Sequence, residues 1–409
     1  MEVIYPRCCG LDIHKESISA CVLIKEPGKR EKHLARFGTM TSDLLKLGDW
    51  LRSWGVKRVA MESTGVYWKP IWNILEDEFE LELINAQHIK QVPGRKTDTK
   101  DCEWIAELLQ HGLVRASFVP AQAQRDLREL TRYRATLCED KVRVANRIQK
   151  VLEDANVKLA CVASDILGAS GRAMLEALVA GERDAAHLAG MAKQRLRKKL
   201  AQLERALEGR VREHHRFLLR QLLDELYFIE GKITQVEQRL EQQMGSFQQA
   251  VTLWQTIPGV NEITAWSLVA EMGVDLSQFE RVEKLTAWAG VCPGNNESGG
   301  RRLSGTSRKG NRWLRRVLTQ AAWAAVRKGD TYLGARFRRL ASRRGRKRAL
   351  LAIAHKILVI AYWMLKTGQQ FRDLGADYFD RLKSTDLTRS LVRRLERLGY
   401  KVALEHVAS

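Results

Sequence analysis

The chain has 409 residues, of which 45% are hydrophobic and 29% charged, and its formal net charge at pH 7 is +21. This length and composition predict a globular protein of two or three domains. No run approaches the roughly 18 uninterrupted apolar residues of a membrane span, and the first residues lack a signal-peptide pattern. Seven cysteines without a C-x-x-C pair indicate reduced thiols and argue against disulfides or a zinc site.

Most of the net positive charge lies in one segment. Residues 301–348 contain 17 lysines and arginines and a single acid, Asp330. Such a density predicts a polyanionic partner, because cations that neutralise phosphates release bound counterions. A merely solubilising surface is the alternative, although solubility needs less charge and usually mixes both signs. We therefore expect nucleic acid as the partner.

Residues 1–120 alternate short apolar runs with helical patterns. Strand patterns cover residues 7–13, 17–25, 32–37, 56–62 and 79–84. Helical patterns cover about 41–54, 66–76 and 98–111, and Thr41 or Ser42 is expected to cap the first of them. Hairpin strands followed by alternating helices and strands predict an α/β domain with a mixed sheet.

Four acids lie where such a sheet would gather carboxylates. Asp12 and Glu62 each end an apolar run, while Asp98 and Asp101 are three residues apart and share one helix face. Mg²⁺ prefers oxygen ligands, and phosphoryl transfer uses metal that bridges the attacking and leaving oxygens. In a basic protein this set predicts a metal-dependent nuclease or recombinase.

The middle of the chain is predicted to be helical. One amphipathic helix covers about 121–153, and its arginine-rich face is suited to follow a nucleic-acid backbone, as any basic helix is. A second long helix is expected over about 190–244, weakened at Gly209 and Gly231. Its apolar stripe favours packing or self-association as part of a coiled coil.

A compact, mainly α-helical region is expected from about residue 247. It begins with the turn Ile257-Pro258-Gly259-Val260, which leads into an apolar helix that ends near Met272. This turn resembles half of a helix-hairpin-helix, which offers backbone N–H groups to phosphates. Ordinary helix packing explains it equally well.

A glycine-rich basic loop between Trp288 and Arg316 contains Ser298, directly before Gly299 and Gly300. Most serines in such loops cap a turn or bind phosphate. The alternative is a nucleophile that attacks a DNA phosphate, which requires activation by a base or metal. The loop contains no histidine, so activation would come from the acids; Ser304, Thr306 and Ser307 are rival nucleophiles. Candidate nucleic-acid contacts are Arg301, Arg302, Arg308, Lys309, Arg312, Arg315, Arg316, Arg343 and Arg344.

Five motifs follow one another in the chain. They are D-I-H-K at 12–15, M-E-S-T-G-V-Y-W at 61–68, K-T-D-T-K-D at 96–101, I-P-G-V at 257–260 and S-G-G-R-R-L-S-G-T-S-R-K-G-N-R-W-L-R-R at 298–316. In this order and spacing, over about residues 5–345, the chain resembles a DEDD-type insertion-sequence transposase. The family is named for insertion sequence one-ten and is understood as bridge-RNA-guided recombinases.

The resemblance implies an α/β RNase-H-like (RuvC-like) catalytic domain at 1–120, a long-helix coiled-coil segment at 121–246, a mainly α-helical transposase domain at 247–372 and a helical tail at 373–409. It implies that Asp12, Glu62, Asp98 and Asp101 bind Mg²⁺, with Mn²⁺ able to substitute, and that Ser298 attacks the scissile phosphate. Glu297 departs from the family pattern, which often has a small polar residue there.

The implied partners are DNA at the element ends and the target, a non-coding guide RNA that pairs with both, and further copies of the chain in a dimer or tetramer. No membrane is implied, and the expected location is the cytoplasm of a bacterium or archaeon, with the nucleoid. Two other hypotheses remain. One is a metal-dependent nuclease or junction resolvase without a covalent intermediate; the other is a non-enzymatic nucleic-acid-binding protein whose acids are structural.

Overall fold

The computed structural model describes residues 2–63, 65–85, 101–114, 116–294, 296–305, 307, 309–382 and 384–405, with the backbone alone at 296–298 and 302–304. The chain forms two compact units, Met1–Pro120 and Ala121–Ser409. The described part of the first unit is α/β, and that of the second is helical apart from one short hairpin. The finer division of the second unit that we predicted from the sequence stays a prediction.

Six strands of the described residues form one mixed sheet in the first unit, in the order β3-β2-β1-β4-β5-β6. β1, β2 and β3 are antiparallel neighbours, whereas β1, β4 and β5 run parallel. The strands are β1 Arg7–Ile13, β2 Ile18–Glu26, β3 Lys29–Phe37, β4 Arg58–Glu62, β5 Glu80–Ile84 and β6 Ala116–Ser117. The helices are α1 Thr41–Ser53, α2 Trp68–Leu75 and α3 Asp101–Gln110.

Both faces of this sheet are covered by helices. Leu11 and Met61 face a core that includes the buried leucines of α1 and the apolar side of α2. On the other face, Cys8 and Ala60 pack against Ile105 and other residues of α3. Because side chains alternate between faces along a strand, this arrangement fixes the face on which every residue of β1 and β4 lies.

The predicted N-cap of α1 is wrong. Met40 occupies the N-cap position with extended backbone angles and makes no side-chain cap bond, and Thr41 is already helical. The helix is retained because Leu44, Leu47 and Leu51 are buried in the core on one face. Packing of an amphipathic face therefore outweighs the missing cap, which is worth about 1 kcal/mol.

The described helices of the second unit, except the exposed last helix at Ser384–Arg397, cluster around one large hydrophobic core. The described helices are α4 Gln122–Asp154, α5 Leu159–Val162, α6 Ala169–Ala180, α7 Ala185–Gly190, α8 Leu200–Leu207, α9 Glu213–Gln243, α10 Gln248–Gln255, α11 Glu262–Met272, α12 Val282–Trp288, α13 Arg312–Arg327, α14 Tyr332–Arg344, α15 Arg346–Thr367, α16 Tyr378–Leu382 and α17 Ser384–Arg397. Short 3-10 turns cover Gln194–Lys199 and Gly245–Phe247, and a hairpin is formed by β7 Asn296–Ser298 and β8 Arg301–Ser304.

The single long helix predicted over 190–244 is broken. It consists of the 3-10 turn, α8 and α9, with a non-helical segment that contains Gly209. A Cβ atom at Gly209 would lie 2.5 Å from Val157 Cγ2 and 2.7 Å from the Ala155 carbonyl oxygen. The chain therefore passes close to the end of α4, where Arg210 N donates to Ala155 O at 2.8 Å. This tertiary contact breaks a helix that the apolar spacing alone predicts to continue.

One helix of the described residues, α15, is long and apolar enough to cross a membrane. Its most apolar 18-residue window has a mean hydropathy of 1.6. Half of that window is buried in the protein. Trp254 Nε1 donates to the Ala361 carbonyl at 3.0 Å, and the Tyr362 hydroxyl donates to the Phe279 carbonyl at 3.0 Å. These contacts place α15 in the core of the second unit, where a helix apolar on most sides is expected.

The turn at Gly259 is a packing element. Its φ of +85° is in the left-handed region, and an added Cβ would lie 2.3 Å from Ala321 O and 2.6 Å from Ala325 N. The backbone of this turn therefore rests directly on α13. Of the two interpretations that the sequence left open, this geometry favours helix packing.

We predict that Gly259→Ala lowers the free energy of unfolding by about 2–4 kcal/mol, because it adds left-handed strain and a collision with α13. Gly231→Ala is the matched control: Gly231 lies within α9 with nothing within 4 Å of the new Cβ. That variant should gain about 0.5–1 kcal/mol from helix propensity. Chemical denaturation measures both, and equal effects of the two substitutions would contradict the packing role of Gly259.

Candidate functional site

Asp12 and Glu62 lie side by side at the carboxyl ends of neighbouring parallel strands. Leu11 is the register partner of Met61. The residues that follow them, Asp12 and Glu62, therefore occupy adjacent positions on neighbouring strands, about 4.8 Å apart. Leu11 and Met61 face the core of α1 and α2, and their successors therefore lie on the opposite face. The Asp12 side chain is 18% exposed, and His14 Nε2 lies 3.2 Å from its Oδ2.

Helix α3 covers the face of the sheet on which Asp12 and Glu62 lie. It approaches β1 so closely that a Cβ at Gly10 would lie 2.3 Å from the Cys102 carbonyl oxygen and 2.4 Å from Ala106 N. Burial, and then the negative charge of Asp12, raise the pKa of the Cys102 thiol. Cys102 is therefore near Asp12, and Asp101, the first residue of α3, lies at the same end of the sheet.

The described residues include three of the four predicted acids. Asp12 and Glu62 are neighbours on one face of the sheet and Asp101 begins the helix that covers that face, whereas Asp98 lies outside the described residues. Within the described parts of the chain, no three His, Cys, Asp or Glu side chains form a preassembled metal cage. The donor chemistry fits a hard divalent cation, because carboxylates are the ligands that such cations prefer.

An ion pair anchors the first turn of α3. Glu103 is 8% exposed, and its carboxylate accepts a 2.9 Å hydrogen bond from Lys32 Nζ on β3. This bond, and then the charge of Glu103, raise the pKa of Lys32. The strand at the sheet edge is thereby tied to the helix that carries Asp101.

In the second unit, the glycine-rich segment forms a tight antiparallel hairpin. Ser298 ends β7 and Arg301 begins β8, and they are register partners. Gly299 and Gly300 between them have φ values of +58° and +74°, which the two-residue turns favoured in hairpins require. Glu297, the departure from the family pattern, is opposite Arg302 in the register. The hairpin was not predicted, although the Gly-Gly pair is a recognised signal for one.

The side chains of Ser298 and Ser304 lie outside the described residues, as does all of Thr306, and Ser307 is partly buried. The predicted basic contacts divide into groups. Arg301, Lys309, Arg312, Arg343 and Arg344 are exposed, Arg315 and Arg316 are partly buried, Arg302 is described by its backbone alone, and Arg308 lies outside the described residues. Arg316 forms an ion pair with Glu139, so part of its charge serves the fold.

A buried charge network fixes the end of the glycine-rich segment. Glu271 on α11 is 1% exposed, and Arg132 Nε and Nη2 donate to its two oxygens at 2.7 and 2.8 Å. Asn311 Nδ2 donates to Glu271 Oε2 at 2.6 Å. The Asn311 side-chain oxygen in turn accepts from the backbone N–H groups of Trp313 and Leu314 and so caps α13.

Arg128 extends this network to the helix end. Its Nε and Nη2 donate to the carbonyl oxygens of Ala270 and Glu271 at 2.8 and 2.6 Å, the last turn of α11. Burial lowers the pKa of Arg128 to about 10, which leaves it charged at neutral pH. Three helices, α4, α11 and α13, thus meet at one buried carboxylate.

Glu271 and Asn311 were not predicted from the sequence. The available signal was a single acid in the otherwise apolar run L-V-A-E-M, where a charge is expected only if it is paired. Several arginines of α4 also form contacts within the protein. Besides Arg128 and Arg132, Arg134 pairs with Glu237 and Arg147 with Glu225 on α9. These arginines contact acids and carbonyl groups of the protein, and binding of nucleic acid by α4 stays a prediction.

Comparison with known proteins agrees with this combination of acids and basic hairpin. A model for DEDD transposases of the IS110 type, described as "Transposase", matches residues 9–157. A second, described as "Transposase IS116/IS110/IS902 family", matches residues 251–339. Together they span more than half of the chain.

Two curated relatives have similar lengths. The chain is 27% identical to the transposase for insertion sequence element IS1111A of Coxiella burnetii (strain RSA 493 / Nine Mile phase I), over 90% of this chain and 92% of that protein. It is also 27% identical to a probable family 20 transposase of Pseudomonas aeruginosa PAO1, over 77% of this chain and 85% of that protein.

The fold, the acids and the family matches define a DNA transposase of the DEDD class. More particularly, the chain belongs to the IS110 family of insertion-sequence transposases. Membership makes it an enzyme that cleaves and rejoins DNA, with DNA as its partner. DEDD transposases generally use divalent metal. The resemblance to this family that the motifs indicated is therefore confirmed.

We predict that Glu271→Gln lowers the free energy of unfolding by about 3 kcal/mol, because Arg132 loses its buried counter-charge and Asn311 an acceptor. Glu225→Gln is the matched control, since Glu225 and Arg147 also join two helices but are 43% and 57% exposed. Its loss should be below ~1 kcal/mol. Equal midpoints of thermal unfolding for the two variants would show that Glu271 does not hold the helices together.

Proposed function

We propose that this transposase is a serine-dependent, RNA-guided recombinase whose first unit is an RNase-H-like (RuvC-like) catalytic domain. The observation that carries the proposal is the adjacent placement of Asp12 and Glu62 under α3. The strand order, with β1 antiparallel to β2 and parallel to β4, agrees with the fold that the resemblance implies. It supports the assignment of the acids to phosphoryl transfer.

In this proposal Asp12, Glu62, Asp98 and Asp101 would hold Mg²⁺, for which Mn²⁺ can substitute. When bound, the metal would neutralise charge on the scissile phosphate and lower the pKa of a coordinated hydroxyl. Other residues of the chain position these acids. Because Gly10 has no side chain, α3 can pack closely on β1, and the Lys32–Glu103 ion pair anchors the turn that begins with Asp101.

Ser298 is the proposed nucleophile. Its Oγ forms a bond to the phosphorus atom while the bond to one sugar oxygen breaks; the hydroxyl proton passes to a base and the departing oxygen gains a proton. The position of Ser298 beside a turn with two positive φ angles supports this role, because a hairpin tip without bulky side chains allows close approach of a DNA backbone. The nearby exposed cations Arg301, Lys309 and Arg312 are suited to hold phosphates.

We predict that Ser298→Ala abolishes the covalent protein–DNA adduct while duplex DNA binding weakens by no more than about fivefold, the effect of one hydrogen bond of about 1 kcal/mol. Ser304→Ala and Ser307→Ala are the matched controls, and both should still form the adduct. Denaturing gel electrophoresis after reaction with labelled element-end DNA and Mg²⁺ measures it. Asp12→Asn should give neither adduct nor cleavage.

Adducts that persist in Ser298→Ala would move the nucleophile to another residue. Efficient cleavage by the unmodified protein without any adduct would instead establish the metal-dependent nuclease or resolvase. Full cleavage by Asp12→Asn would remove Asp12 from the metal site.

The proposed guide is a non-coding RNA that pairs with target and donor DNA, and the proposed active assembly is a dimer or tetramer in the cytoplasm. The support for these is the family resemblance together with the exposed cations of the second unit. We predict that protein purified from cells that carry its native flanking DNA contains one discrete RNA encoded beside the gene. Sequencing of the bound nucleic acid measures this, and heterogeneous RNA or none would contradict guidance.

A further inference from the structure

A second basic surface lies in the first unit, beside Asp12. The turn between β1 and β2 and the end of β3 enclose an open depression of about 830 Å³, lined by residues 14–17 and 36–38. Lys15 and Arg36 supply its positive charge, and Glu16 is the acid in its lining. The depression adjoins the candidate metal site directly, because His14, on its wall, lies 3.2 Å from Asp12.

The strand register places Arg36 in the same row as the acids. Arg36 is the partner of Ser19, and Ser19 is the partner of Asp12. The alternation along β3 puts Arg36 on the same face as Lys32, which contacts Glu103 of α3 on the acid-bearing face. Arg36, Ser19, Asp12 and Glu62 thus follow one another across four strands.

The two cations of the depression are available for a ligand. At least six of the twelve described lysines and arginines of the first unit form ion pairs, such as Arg7 with Glu26 and Lys32 with Glu103. Lys15 and Arg36 are exposed and form no ion pair with any described residue. Arg36 Nη2 donates to the Ser17 hydroxyl at 3.1 Å, which holds the guanidinium over the depression.

The spacing fits a DNA strand that continues past the metal. Two strand spacings separate Arg36 from Asp12, roughly 10 Å. A DNA strand advances about 3.4 Å per nucleotide along the helix axis, and its successive phosphates are further apart than this, so the distance corresponds to at most about three nucleotides. Arginine suits a backbone phosphate because its planar guanidinium donates two parallel hydrogen bonds.

We propose that Lys15 and Arg36 bind the backbone phosphates of the DNA strand to be cleaved, within about three nucleotides of the scissile phosphate. This site positions the strand over the carboxylates and does not read its sequence. The inference rests on the proposed metal site, since it takes Asp12 and Glu62 as the place of cleavage.

The test is the double variant Lys15→Ala/Arg36→Ala with duplex DNA that carries one element end. Two lost phosphate contacts should lower kcat/KM for cleavage by about 10- to 100-fold and reduce the slope of log affinity against log salt by about 2. The matched control is Lys25→Ala/Arg30→Ala, which removes two cations from the opposite end of the same hairpin, where they are register partners. It should cleave as the unmodified protein does.

Neutral methylphosphonates, introduced one at a time along the cleaved strand, locate the contact. For the unmodified protein and the control, cleavage should fall when the neutral group is at one position within about three nucleotides of the scissile phosphate. For Lys15→Ala/Arg36→Ala the same substitution should have no further effect. All variants should share one unfolding temperature, because the substituted side chains lie on the surface.

The outcomes separate this inference from the function on which it rests. Normal cleavage by Lys15→Ala/Arg36→Ala, with none by Asp12→Asn, overturns the strand-binding site and leaves the metal site in place. Cleavage by Asp12→Asn overturns the metal site itself. Loss of co-purified RNA from Lys15→Ala/Arg36→Ala, with its DNA cleavage unchanged, would assign the depression to RNA and also overturn the proposal.

Discussion

Backbone contact between Gly10 and α3 determines where the candidate metal site forms. A side chain at residue 10 would collide with the Cys102 carbonyl and with Ala106 N, so α3 can rest on the sheet only where β1 has no Cβ. That contact brings Asp101 to the end of the sheet at which the parallel pairing of β1 and β4 aligns Asp12 with Glu62. The carboxylates are therefore gathered by close packing, and charge alone would drive them apart.

In the second unit, by contrast, a buried carboxylate with several hydrogen-bond partners holds the helices together. Glu271 accepts hydrogen bonds from Arg132 and Asn311, and Asn311 caps the helix that follows the glycine-rich hairpin. A buried carboxylate is costly unless each partner is present, so the network selects one arrangement of α4, α11 and α13. The segment that follows the glycine-rich hairpin is thus held in place where α13 begins.

The lysines and arginines that give the chain its positive net charge divide into those paired within the protein and those that make no ion pair with described residues. Several arginines of α4 form ion pairs with acids of α9 and α11 and so stabilise the packing of these helices. The exposed cations that make no ion pair with described residues, such as Lys15 and Arg36, have greater value for binding phosphates. Charge that is free to release counterions, and not charge counted along the sequence, sets affinity for nucleic acid.

Local patterns of the chain, namely apolar periodicity and motif order, were sufficient to recognise the family and five of the six described strands of the first unit, whereas the role of the acids stays a prediction. Tertiary structure decided what depends on contacts between distant residues. It placed Met40 at the cap of α1, broke the predicted 190–244 helix where Gly209 meets Ala155 and Val157, and turned Gly259 into a packing point on α13. It also paired Arg132 with Glu271 and aligned Arg36 with Asp12 across two strands, since register and burial arise only when the chain folds back on itself.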